Sequence, residues 1–106
     1  MVMASDDWRN DATAALFEAV IMLETRDEAA DFFRDLCTRR ELEEISQRWE
    51  VARKLDAGHP YREIAAETGV STATIVRINQ WLRHGTGGYQ RMLDKLDTNQ
   101  TNQEDR

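Results

Sequence analysis

Residues 61–82, with the sequence YREIAAETGVSTATIVRINQWL, decide how the whole chain is interpreted. Two segments with apolar residues at helical spacing are separated by Gly69 and Val70. The second segment opens on Ser71, a residue type that caps helices well. This spacing predicts two short helices joined by a tight turn, the arrangement of a helix-turn-helix.

The positions that such a geometry constrains carry suitable residues. Ala65 is small where the two helices approach each other, and Gly69 follows four residues later, where the turn favours a positive φ angle. Apolar side chains have to fill the angle between the helices, and these are Ile64, Val70, Ile75 and Ile78. An ordinary structural helix pair is the alternative, but this combination is uncommon by chance.

The face of the second helix that we expect to be exposed begins with short side chains. Ser71, Thr72, Ala73 and Thr74 come first, and Arg77 follows within a turn. Short hydroxyl side chains near a helix N-terminus can approach a DNA backbone and base edges closely, and the N-terminal N–H groups favour phosphate. The sequence therefore favours contact with double-stranded DNA at this helix.

The rest of the chain also has apolar residues at helical spacing, which predicts an all-α protein with six helices. A first helix is expected over roughly residues 11–24, and a second begins with Asp27 as its N-cap. Thr38 and Glu41 form a capping-box pattern at the start of a third helix.

The domain assignment follows from these helices. Residues 1–10 form an N-terminal arm, residues 11–97 form one helical domain with the helix-turn-helix at 60–83, and the polar residues 98–106 are expected to be a disordered tail. A compact monomeric bundle is one possible packing. We favour a homodimer, because the first two helices are too apolar for one helix face to bury.

Composition limits the classes of function. The 106 residues fit one domain, the formal net charge is −6, and the single cysteine excludes an internal disulfide framework. Residues 60–93 hold four bases and two acids, so they are the stretch with a positive balance. No apolar run is long enough for a membrane span and no secretory signal is evident, so we expect a cytoplasmic protein. His59 and His84 have no ligand partner at metal spacing, so no metal is expected.

The sequence resembles the tryptophan-repressor superfamily, and most closely its YerC/YecD branch of DNA-binding regulators. The matching stretches are DLCTRRELEEISQRWEVARKLDAG, YREIAAETGVSTATIVRINQWL and GGYQRML, within residues 16–96. The resemblance implies an intertwined homodimer with two recognition helices, residues 71–83 of each chain. These helices would enter successive major grooves of an operator, and the two grooves are about 34 Å apart. The resemblance assigns DNA contacts to Arg62, Thr72, Ala73, Thr74, Val76 and Arg83. Ser71 and Arg77, from the face expected to be exposed, complete the predicted set of DNA-contact residues.

The resemblance also implies a ligand pocket. In tryptophan-binding members, two arginines, a threonine of the partner chain and small residues of the recognition helix hold the corepressor. Thr38, Arg48 and Arg77 match the polar members of that set. Ile78 and Trp81, however, stand where a glycine and a serine are expected.

Two consequences follow for this pocket. We expect Trp81, with Ile78, to fill the space of the indole, so that the pocket is vestigial and no small-molecule effector or cofactor binds. We also expect Arg48 and Arg77 to pair with nearby carboxylates such as Glu44 or Glu50.

The sequence therefore predicts a homodimeric transcriptional regulator, a repressor, that binds DNA without tryptophan as corepressor. The alternative is a helix-turn-helix module that docks a protein in a transcription complex, which the net charge of −6 would suit. An enzyme is not expected, because no nucleophile with its base and no phosphate-binding loop is visible.

Overall fold

A computed structural model describes residues 8–104, with side chains through residue 99. This part of the chain contains six α-helices and no strand, which confirms the predicted all-α class. The helices are α1 (Asp11–Ile21), α2 (Arg26–Leu36), α3 (Arg39–Asp56), α4 (Tyr61–Thr68), α5 (Thr72–His84) and α6 (Gly88–Glu104). Two compact units divide within α3, between Leu42 and Glu43.

Side-chain caps fix the helix starts in the first unit. Asn10 and Thr13 form a capping box at the start of α1. Thr25, not the predicted Asp27, is the N-cap of α2: its hydroxyl accepts from the backbone N–H of Glu28 at 3.0 Å. The Glu28 carboxylate in turn accepts from the backbone N–H of Glu24 at 2.9 Å. Thr25 and Glu28 together therefore fix the start of α2 before Asp27.

The first unit has no buried residue in either α1 or α2. Large apolar side chains are instead left exposed, and Ile21 and Met22 are the most exposed of them, at 81% and 76%. Trp8, Phe17 and Leu36 are about half exposed. Helices of this composition normally bury such a face against another element.

The second unit holds the hydrophobic core. Its buried side chains come from the C-terminal part of α3 and from α4, α5 and α6: Val51, Ala52, Leu55, Ile64, Ile75, Ile78, Leu82 and Leu93. Trp49, Ala65, Val70 and Tyr89 are partly buried against this cluster. The ring of Trp49 stacks on that of Tyr89, with centroids 6.2 Å apart, and burial raises the pKa of the Tyr89 hydroxyl.

The last helix extends into the residues that the sequence predicts to be a disordered tail. α6 continues through residues 98–104 before ending at Glu104, while residues 105–106 lie outside the described part of the chain. Leu93 is buried and Tyr89 is partly buried in the core, so the first half of α6 supplies a nucleus. Each further residue then adds a backbone hydrogen bond without a new nucleation cost, and this offsets the polar composition of the last turns.

No helix in the described range has the length and apolar composition that crossing a bilayer demands.

Candidate nucleic-acid interface

The turn between α4 and α5 is fixed by hydrogen bonds within a few residues. Gly69 has φ +76°, the left-handed conformation predicted for it, and its N–H donates to the Ala65 carbonyl at 2.9 Å. The Thr68 hydroxyl donates to the Ile64 carbonyl at 2.7 Å and accepts from the Val70 N–H at 3.1 Å. Thr68 therefore connects α4 to the turn, a role that sequence reasoning missed although its position just before the glycine suggested a cap.

Ser71 starts α5 as predicted. Its hydroxyl oxygen accepts from the backbone N–H of Thr74 at 3.2 Å, and the same hydroxyl lies 3.0 Å from the Thr74 hydroxyl oxygen. The first backbone bond of the helix runs from the Ile75 N–H to the Ser71 carbonyl at 3.0 Å. This cap holds the N-terminal turn of α5 in a defined conformation beside the exposed residues that follow.

One face of this helix pair is buried and the other is open. Ile64 and Ile75 are fully buried, Ile78 is 1% exposed, and Ala65 and Val70 pack against them. The predicted packing of the helix-turn-helix is thus present. The opposite face of α5 is consequently presented to solvent.

The predicted DNA-contact residues lie mostly on that open face. Thr72, Ala73, Val76 and Arg83 are exposed on α5, and Arg62 is exposed on α4. Thr74 is partly buried and takes part in the Ser71 cap, so its side chain is less available than predicted.

Gln80 is an exposed residue that sequence reasoning missed. It lies four residues after Val76, so it shares the face that carries Val76 and Ala73. A carboxamide can hydrogen-bond both base edges and phosphates. Continuing the i, i+4 spacing by one more turn would have found it.

The two arginines on α5, Arg77 and Arg83, differ in their surroundings. The Nε of Arg83 donates to the Asn79 side-chain oxygen at 3.3 Å, which orients the guanidinium along the helix. Arg77 is exposed and lines a cleft of about 330 Å³ between α3 and α5. The cleft is lined by Glu44, Gln47, Arg48, Val70, Ser71, Thr74, Arg77, Ile78 and Trp81.

The cleft corrects the prediction that Trp81 fills the pocket. Ile78 is buried in the core, but Trp81 stands at the wall of the cleft and remains 46% exposed. The helix restricts the χ angles of Trp81 and so fixes the direction of its indole ring. The ring therefore narrows the cleft but does not close it. The other member of the predicted set, Thr38, lies in the first unit, where it forms the predicted capping box with Glu41 at 3.1 Å and 2.8 Å.

The predicted pairing of the cleft arginines is also wrong. Within the described range, neither Arg48 nor Arg77 forms an ion pair with Glu44 or Glu50. Glu50 is occupied by Arg53 at 3.3 Å and by Lys54 at 3.5 Å. Arg53 and Lys54 follow Glu50 by three and four residues on the same helix, so their side chains lie beside its carboxylate.

A cluster of charged groups lies at the corner between α3 and α4. Ligand atoms of His59, Glu63 and Glu67 lie within 4.8 Å of one another, which the sequence expectation of an isolated His59 did not foresee. Lys54 already binds Glu67 at 2.9 Å, and His59 Nδ1 lies 3.1 Å from Glu63. The hydrogen bond from Lys54 holds the pKa of Glu67 below its usual value and raises that of Lys54. The ion pair between Lys54 and Glu67 is therefore part of this cluster.

The chain matches known proteins over nearly all of its length. A family model for the Trp repressor protein covers residues 11–97. The uncharacterized protein YerC of Bacillus subtilis (strain 168) is 39% identical over 99 residues, spanning 93% of this chain and 95% of YerC.

Two solved structures give the same fold. A TrpR-like protein from Eubacterium eligens ATCC 27750 superposes with a TM-score of 0.82 at 43% identity, over 87% of this chain and 95% of that one. A candidate Trp repressor from Staphylococcus aureus gives a TM-score of 0.82 at 40% identity, over 91% of this chain and 96% of the other. The resemblance inferred from the sequence is therefore confirmed, and the chain belongs to the Trp repressor protein family, in the branch that contains YerC.

Proposed function

We propose that this protein is a homodimeric, sequence-specific DNA-binding transcription repressor in which α4 positions the protein and α5 enters the major groove. The observation that carries this proposal is the two-faced helix pair. Ile75 and Ile78 fix the inner face of α5 in the core, while Thr72, Ala73 and Val76 project from the outer face. A rigidly supported helix with short exposed side chains can approach base edges closely.

The phosphate backbone is contacted by groups at both ends of this surface. Arg62 on α4 and Arg83 near the end of α5 supply positive charge, and the N-terminal N–H groups of α5 add a favourable dipole. Arg77 and Ser71, beside the cleft, extend the same surface. The excess of two bases over residues 60–93 concentrates attraction for DNA here despite the overall charge of −6.

The homodimer is supported by the first unit. α1 and α2 bury none of their residues, and Phe17, Ile21 and Met22 expose large apolar surfaces. We assign this face to a second copy of the same chain, because two equal apolar faces can bury each other in an isologous interface. Two α5 helices spaced by about one turn of DNA, roughly 34 Å, would then reach successive major grooves. Because the relatives that the chain matches are bacterial, action on DNA would place the protein in the cytoplasm.

We further propose that the repressor acts without tryptophan as corepressor. Trp81 narrows the cleft of about 330 Å³, and the Glu44 carboxylate on its wall opposes an anionic ligand beside Arg48 and Arg77. Calorimetric titration with L-tryptophan should give no micromolar binding to the natural protein. Trp81→Ser, which removes the indole, should bind more strongly; micromolar binding without the substitution would contradict the proposal.

Duplex binding at graded salt concentrations tests the main proposal. A mixed-sequence duplex should bind at low salt and lose affinity as salt rises, with a slope of roughly −0.9 per phosphate contacted. Ala73→Asp places a negative charge on the outer face of α5 and should abolish binding, while Thr98→Asp on α6 adds the same charge elsewhere and should not.

A loss of duplex binding can be assigned to the changed surface only if the variant remains folded. An acidic residue in the first turn of a helix is favoured by the helix dipole, so Ala73→Asp should remain folded. Absence of duplex binding by the natural protein at low salt would instead favour the protein-docking module.

A further inference from the structure

The outer face of α5 has an unusual composition for a helix exposed to water. Val76 is 44% exposed in the middle of this face, with Ala73 one turn before it and the methyl-bearing Thr72 beside it. Residues 72–76 contain no charged side chain. The first cation after them, Arg77, lines the cleft with Arg48.

The chemistry of the major groove restricts what residues 72–76, the N-terminal part of this face, can read. A bidentate guanidinium or ammonium contact selects guanine, and a carboxylate accepts from cytosine, but residues 72–76 offer neither group. The thymine 5-methyl group is the apolar feature of the major-groove edges, and it is matched by aliphatic side chains. A β-branched residue suits this contact, since its two methyl groups are held in few rotamers on a helix.

The helix geometry places Val76 well for this task. Its neighbours on the core side, Ile75 and Ile78, are 0% and 1% exposed, so the backbone that carries Val76 cannot rotate its side chain away from the open face. Ala73 lies three residues earlier on that face and leaves space beside Val76 for a base edge.

We propose that Val76 is a specificity-determining residue that packs against the 5-methyl group of a thymine in each operator half-site. This inference rests on the proposed DNA-binding function. It predicts that the operator carries an A·T base pair at the position facing the middle of α5, and that this preference depends on the aliphatic side chain.

The experiment uses a duplex that the natural protein selects from a random-sequence library. Each thymine of a half-site is replaced singly by deoxyuridine, which lacks only the methyl group, and the Kd is measured for the natural protein and for Val76→Ala. At one thymine, the loss of its methyl should weaken binding by the natural protein about fourfold. For Val76→Ala, thymine and uracil at that position should bind equally.

Thymines elsewhere in the same duplex are the matched controls, because their methyl effects should be unchanged by Val76→Ala. If the natural protein binds the duplex but no thymine shows a methyl effect that disappears in Val76→Ala, the inference is wrong while the proposed function stands. If no library member binds at low salt, the proposed function itself fails. Equal circular dichroism spectra and melting curves of the two proteins establish that the comparison reports the contact.

Discussion

The Thr68 hydroxyl accepts a hydrogen bond from the backbone N–H of Val70 at 3.1 Å, across the left-handed residue that ends α4. The same hydroxyl donates to the Ile64 carbonyl at 2.7 Å. One side chain thus satisfies a donor in the turn and an acceptor in the helix, and both bonds are partly shielded from water. Thr68 thus connects the end of α4 to the turn that precedes α5.

Thr68→Val should destabilise the protein while preserving its shape. The substitution leaves the Val70 N–H without its acceptor, and a shielded, unsatisfied donor costs about 1–3 kcal/mol. Thr68→Ser keeps the hydroxyl and should lose much less. Urea unfolding of the three proteins measures the difference, and equal stability of the Val and Ser variants would show that the hydroxyl bonds do not matter.

Gly85→Ala should also reduce stability. Gly85 ends α5, and a Cβ added there would collide with the backbone carbonyl oxygen of Trp81, which accepts the Gly85 N–H at 2.9 Å. Backbone cannot yield as a flexible side chain can, so a cost of about 1–3 kcal/mol is expected.

Gly88→Ala is the matched control for that change. A Cβ at Gly88 meets nothing closer than the Thr86 hydroxyl at 4.0 Å, so alanine should leave stability equal or raise it by about 0.5 kcal/mol. Thermal melts of both variants provide the test. A Gly85→Ala protein as stable as Gly88→Ala would contradict the predicted collision.

The ion pair between Lys54 and Glu67 predicts a specific dependence of stability on pH. The Lys54 hydrogen bond lowers the pKa of Glu67 from its usual 4.5, so the carboxylate is stabilised in the folded state. A group with a lowered folded-state pKa stabilises the protein above its unfolded pKa, and that stabilisation disappears as the pH falls through the folded pKa. The natural protein should therefore have a higher melting temperature than Glu67→Gln at pH 7. This difference in melting temperature should disappear at acidic pH.

The dependence of this melting difference on salt concentration is the control for the Lys54–Glu67 ion pair. Both side chains are solvent-accessible, so added salt should shrink the gap at pH 7 by screening. Glu63→Gln, one turn earlier on α4, does not touch Lys54 and should show a different pH profile. A gap that persists unchanged to pH 3 would exclude Glu67 ionisation as its cause.

Ile21→Lys should weaken the proposed homodimer. Ile21 is 81% exposed in the isolated chain, and a charged residue buried in an apolar interface carries a large desolvation cost. Light scattering over a range of concentrations should show the natural protein as a dimer and Ile21→Lys as a monomer at micromolar concentration. Val76→Lys changes an equally apolar residue on α5 and should remain dimeric. A natural protein that is monomeric at every concentration would contradict the assignment of this face.

Most of the helical framework could be predicted from local sequence, because its signals act within one or two turns. The Thr38–Glu41 capping box, the Ser71 cap and the positive φ of Gly69 each depend on atoms fewer than five residues apart. The spacing of Ile75 and Ile78 likewise identified the buried face of α5 and, by elimination, its open one.

The ion pair between two helices was decided only when the helices packed. Lys54 binds Glu67, thirteen residues away on another helix. The pairs of Glu50 with Arg53 and Lys54, in contrast, follow from their spacing on α3. Whether Trp81 filled the cleft or stood at its wall also depended on the space that α3 left beside α5. Helix periodicity and capping are local free energies that a short sequence contains, whereas the choice among charged partners and the volume of a cleft depend on distances that exist only in the folded chain.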